Sequence, residues 1–314
     1  MITIWKNFVY AIFYTISLLP LRVLYCIADI EFLVVYHVLH YRRKVVRNNL
    51  TTAFPEKSEK ERKTIERRFY RWFCDYSLES VKLLSISEKQ LRKRFTIINS
   101  EEVEQCFQEG QSCGGILGHY CNWEWLSCVG IKLPPERVTG LIYKHLSSDT
   151  MDYVFYKLRS HNGGTPISRK EILRYLIKFK KEERMSIFGY IADQGPRYDN
   201  IHLWLNFLNH ETGVFTGAER IMRKMNNAVF FVEMKRPRRG YYTCTFRLIT
   251  RDPQSMEENE ITRRFFQMLE QLIREQPEYY LWSHNRWKRS HEEFDRRYEI
   301  VNGHTILKTE RQDS

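Results

Sequence analysis

The chain has 314 residues, 43% hydrophobic and 28% charged, with 50 Lys+Arg against 38 Asp+Glu and a formal net charge of +12. That apolar content excludes a disordered or low-complexity chain, and the length fits one large α/β domain. Aromatic residues reach 14%, and a basic, ring-rich composition suits membrane interfaces and nucleic-acid surfaces alike. Seven cysteines include no CxxC pair, which argues against a disulfide framework or a zinc site and fits reduced thiols facing a cytoplasm.

In chain order, residues 7–21 (NFVYAIFYTISLLPL) form an uncharged run, and a second apolar patch covers residues 32–39. Fifteen residues fall short of the roughly 20 that cross a bilayer, and no small-residue cleavage site follows. Arg42, Arg43, Lys44 and Arg47 stand just beyond, and positive charge beside an apolar segment favours the cytoplasmic face of an anionic membrane. Residues 1–45 are therefore expected to anchor the chain, spanning the membrane or lying in its interface; a buried core helix is the competing reading. Residues 58–84 read as a helix, with Ile65, Phe69, Trp72, Phe73 and Tyr76 at helical spacing and a capping box from Ser58 to Glu61.

Glycines lead into a buried strand over residues 114–117 that stops at Gly118-His119. A strand over 138–143 follows, then helices over 149–160 and 169–181. A second buried strand, 186–192, stops at Asp193-Gln-Gly-Pro196. Beyond it come a helix over 216–226, strands over 228–233 and 241–248, and a helix over 257–276 that Pro277 ends. This alternation predicts an α/β fold, a central mixed sheet flanked by helices, occupying residues 46–290 as one domain. Residues 291–314 read as a polar C-terminal tail.

Four places offer chemistry. His119 and Glu124 form an HxxxxE spacing, which is weak by itself: ten histidines and 38 acids in 314 residues give about one such pair by chance. On one helix, five residues turn through about 140°, so the pair would not share a face. It works if His119 sits in a strand-to-helix turn, Asn122 caps the helix, and Glu124 lies in its first turn. The carboxylate then fixes the imidazole tautomer and leaves the other nitrogen as general base. A loop histidine beside a helix-dipole acid is the bland alternative. Asp193 either supports such a network or caps a turn. Arg169 holds an anion or is merely solvated. The stretch 277–288, with Trp282, Arg286 and Lys288, suits a phosphorylated or membrane-bound ligand, or forms a clasp with a basic rim. GxGxxG, Walker, GxSxG and HExxH patterns are absent from the sequence.

Taken in order, these segments resemble the lipid A late acyltransferases, the lauroyl/myristoyl transferases of Gram-negative bacteria. The resemblance rests on the N-terminal hydrophobic segment, on Arg47-Asn-Asn-Leu-Thr-Thr-Ala-Phe-Pro55, on His119 and Glu124, on Arg169, on Ala192-Asp-Gln, and on the run from Trp282 to Lys288. Residues 213–220 depart from the family pattern. The resemblance implies a glycerolipid acyltransferase-like fold and an inner-membrane enzyme with a cytoplasmic active site. It implies transfer of a fatty acyl group from acyl carrier protein to a hydroxyl of a lipid A precursor, with no metal, nucleotide, other cofactor or acyl-enzyme. In that scheme His119 is the base, Glu124 orients it, Arg169 stabilises the oxyanion or positions a phosphate, and Asp193 supports the network. Asn122, Gln194, Trp282, Arg286 and Lys288 would contact substrate. The +12 charge suits two acidic partners, carrier protein and lipid phosphate. Competing readings are the same chemistry on another phospholipid, aminolipid or glycolipid, a hydrolase, and a non-enzymatic basic membrane or RNA-binding protein; RNA-binding signatures are missing.

Overall fold

Pro20 decides how the N-terminal apolar run folds. Proline fixes φ, lacks an N–H and pushes the preceding residue out of helical geometry. In the computed structural model, which describes residues 2–134, 136–301 and 303–308, helix α1 (Ile2–Leu18) therefore stops before it and α2 (Leu21–Phe32) begins after it. A π-helical turn, Leu33–Val38, extends α2, and α3 (Arg43–Ala53) starts after a left-handed Arg42. Among the described residues no single helix is long and apolar enough to cross a membrane; Leu21–Val38 and Arg43–Ala53 reach that length only as a pair bent by 87°. Both α1 and α2 pack on α4 (Glu59–Lys82), whose start carries the expected reciprocal Ser58–Glu61 capping box.

Next come α5 (Glu88–Arg94), β1 (Phe95–Ile98), α6 (Ser100–Gln108) and β2 (Cys113–Leu117). After a 3-10 segment, Trp123–Lys132, follow β3 (Val138–Tyr143), α7 (Asp149–Ser160), β4 (Ile167–Ser168), α8 (Ile172–Lys181) and β5 (Ser186–Ile191). The chain continues through the β6 (Leu203–Phe207) and β7 (His210–Val214) hairpin, α9 (Gly217–Met225), β8 (Ala228–Arg238), β9 (Tyr241–Thr250) and α10 (Glu260–Glu275). Seven strands form one sheet in the order β1-β9-β8-β2-β5-β3-β4. Strands β8, β2, β5, β3 and β4 run parallel, while β9 is antiparallel to β8 and parallel to β1. The sheet is mixed and lies between helices. Its central strands are buried on both faces, which is why they read as continuous apolar runs rather than alternating ones.

Two expectations fail here. The helix expected from residue 169 begins at Ile172, because residues 167–168 pair with β3 as a short edge strand. The expected polar tail is folded through residue 308: α11 (His291–Arg297), β10 (Tyr298–Val301) and β11 (His304–Leu307) follow in turn. Phe294 of α11 is buried, and Trp204 of β6 stacks on His291. Residues 309–314 lie outside the described part.

Candidate active site

Strands β2 and β5 are parallel neighbours, and their last pair is Leu117 with Ile191. Two residues past each strand end stand His119 and Asp193. This in-register overhang builds the site at the carboxyl edge of the sheet, where α/β folds place ligands. His119 Nδ1 lies 2.6 Å from Asp193 Oδ1, and Gln194 Nε2 lies 3.1 Å from His119 Nε2. Burial alone would push the Asp193 carboxyl up, but the facing His119 ring, the His119 backbone N–H and Arg286 hold it below its usual range. An ionised Asp193 accepts the Nδ1 proton, so the neutral ring carries its lone pair on Nε2 and the Gln194 amide donates to it.

The turn that carries His119 is fixed from several sides. A Cβ at Gly118 would come within 2.8 Å of Leu269 on α10, so glycine is what lets that helix close on the turn. Leu281 donates its N–H to His119 O at 3.1 Å, and Cys121 donates to Tyr279 O at 2.8 Å. Cys121 is buried in a left-handed conformation, φ 55°, and burial raises the pKa of its thiol; it is a packed side chain, not a thiolate.

Glu124 is a correction to the expected pairing. It does sit in the first turn of the 3-10 segment, but its carboxylate faces Arg159 of α7 in a bidentate pair, 2.8 and 2.7 Å. Both nitrogens of His119 are engaged elsewhere, so Glu124 does not orient the ring. Asn122 precedes that segment without a side-chain capping bond; fully buried, it turns its amide inward to Glu79 Oε2 at 2.9 Å. Trp282 is also fully buried, stacks edge-on with Phe54 and donates to Pro277 O.

Arg286 is buried, donates to Gly213 O, and leaves its Nε without a partner among the described residues. It supplies positive charge behind Asp193. Lys288 and Arg169 are exposed. Arg169 follows edge strand β4, three strands along from β2, which is roughly 14 Å at the usual spacing. It shares the site's edge of the sheet without touching His119, Asp193 or Gln194.

Sequence reasoning missed three groups. Arg159 and Glu79 lie far along the chain from the residues they hold, with no local signal. His284 was visible in the 282–288 run; burial lowers its pKa to about 4, with His119, Arg286 and Lys288 adding to that and Asp193 opposing it. The Arg47–Pro55 stretch proves to be a clasp. Asn49 donates to both Trp282 O and His284 O at 2.8 Å, Arg42 donates to Ser283 O at 3.0 Å, and Arg43 and Arg47 grip Glu66.

A model of a family described as bacterial lipid A biosynthesis acyltransferase matches residues 1–289. No curated protein gives a match to the chain.

Proposed function

Because the chain belongs to the bacterial lipid A biosynthesis acyltransferase family, and is thus an acyltransferase, we propose that it moves a fatty acyl group from acyl carrier protein to a hydroxyl of a lipid A precursor at the cytoplasmic face of the inner membrane. The observation that carries this reading is the Asp193–His119–Gln194 arrangement, an oriented imidazole whose lone pair is held by an amide. The acceptor hydroxyl displaces Gln194 from Nε2. As its oxygen bonds to the thioester carbon, the hydroxyl proton passes to Nε2 and ionised Asp193 stabilises the imidazolium. The carbon–sulfur bond then breaks, and Nε2 returns the proton to the leaving thiolate. No side-chain nucleophile is needed, consistent with the buried, protonated Cys121.

Arg169 and Lys288, both exposed, are assigned to phosphate groups of the lipid or the carrier, with the developing oxyanion the alternative for Arg169. Glu124, with Arg159, braces the wall beside the imidazole: Trp123 stands edge-on to His119, ring centroids 5.0 Å apart.

The test is transfer of radiolabelled acyl groups from acyl carrier protein to a tetra-acylated lipid A precursor in detergent. His119→Ala and Asp193→Asn are each expected to lose at least ~100-fold in kcat. Free fatty acid without acylated lipid would reassign the acceptor, to water or another lipid; full activity in both variants would remove the general base.

A further inference from the structure

Glu79 is fully buried on α4, among groups from four other parts of the fold. Its Oε1 accepts the Tyr25 hydroxyl of α2 at 2.8 Å. Its Oε2 accepts the Asn122 amide at 2.9 Å and the hydroxyl of Tyr242 on β9. Arg236 of β8 stands 3.6 Å from Oε1. Its own backbone oxygen lies 3.4 Å from the Trp125 indole N–H. Burial, with Asp75 nearby, holds the Glu79 carboxyl above its usual range, although Arg236 and the two tyrosine hydroxyls pull the other way.

A buried carboxyl group is costly unless its polar atoms are satisfied, and this one spends its hydrogen bonds where it touches the turn that bears His119. That turn includes the left-handed Cys121, a conformation that costs energy for a residue with a side chain. Such backbone persists only if its surroundings over-determine it. The 279–281 segment fixes the turn on one side. On the other, Asn122 is the anchor, its Nδ2 spent on Glu79 and its Oδ1 without a partner among the described residues.

We infer that Glu79 is a positioning residue for acyl transfer: by gripping Asn122 it holds the 118–122 turn, and through Tyr25 it ties that turn to α2. The inference rests on His119 as the base, and a slack turn misplaces Nε2 without removing any group that meets substrate.

The test exchanges the two partners. Glu79→Gln leaves an amide facing an amide, Asn122→Asp puts two carboxylates together, and the double variant restores a donor–acceptor pair with the charge moved across the bond. Using the full chain in detergent, at a temperature where circular dichroism shows each variant folded, each single variant is expected to lose ~30-fold or more in kcat, with KM for the acyl donor within about twofold. Amide hydrogen exchange over residues 118–122, measured without substrate, should quicken ~10-fold or more in each. The double variant should recover most of both losses. If Glu79→Gln does not fold, Asn122→Ala serves, because it leaves the carboxylate with Tyr25, Tyr242 and Arg236; faster exchange and lower kcat are again expected. Unchanged exchange in the single variants, or a double variant no better than the worse single one, would overturn the clasp. Transfer that survives His119→Ala while exchange still quickens in Glu79→Gln would overturn the base instead and leave the clasp standing.

Discussion

The side-chain partner of His119 is 74 residues away rather than five, and the reason is geometric. Past the ends of two adjacent parallel strands, side chains two residues on stand side by side whatever their distance along the chain. Both polar strand ends, at His119 and at Asp193, were legible in the sequence. That β2 and β5 are neighbours was not, because pairing order is settled by packing across the whole sheet, so the nearer Glu124 looked like the partner. Glu124 and Arg159 instead form a buried ion pair, with side chains 2% and 11% exposed. Glu124→Gln alone is expected to lower stability by about 3–5 kcal/mol, and Glu124→Gln with Arg159→Met to recover most of it; thermal melts of the three proteins decide. A Glu124→Gln protein with unchanged melting and abolished transfer would put Glu124 back into the reaction. His284 gives a pH signature. Neutral down to about pH 4 when folded, it takes up a proton near 6.5 once unfolded. The unfolded chain therefore binds more protons between those values, so this contribution is complete above pH 6.5 and is lost as pH falls toward 4, to a total of about 3 kcal/mol. His284→Gln should shrink the difference in denaturation midpoint between pH 7 and pH 5; an equal fall in the variant would assign the dependence to other groups.

Long, periodic elements were readable. The strand over 138–143 and the helix over 149–160 have the bounds expected of them, and the capping box fixed the start of α4. Short or unpatterned ones were not: β4 has two residues, and β1 and the β6–β7 and β10–β11 hairpins have four or five per strand, too few for a period to register. The N-terminal helices carry an unusual amount of exposed apolar surface. Ile4, Trp5 and Phe8 of α1 are 74, 58 and 56% exposed, and Ile30 and Leu33 continue the surface along α2 and its π-helical end. We propose that these exposed faces of α1 and α2 meet the membrane. Trp5→Ser with Phe8→Ser should weaken binding to anionic vesicles by ~10-fold or more while leaving the melting temperature nearly unchanged, since both side chains already face outward. Equal flotation of variant and parent protein would place the membrane contact elsewhere.

Over the whole molecule, the net charge of +12 is the property that an acidic carrier protein would read first. The KM for acyl carrier protein should rise several-fold between about 50 and about 300 mM salt, and that for a bare acyl-pantetheine thioester should not; parallel curves would mean that charge steers neither. The fold also ties its two ends together. Asn49 finds its hydrogen-bond partners 233 and 235 residues later, at Trp282 and His284, beside the segment that holds the His119 turn. A ribosome makes the segment that carries Asn49 long before that loop. The His119 turn therefore gains this support only once residues 279–284 have been made, so a chain cut short before them would carry His119 on an unbraced turn.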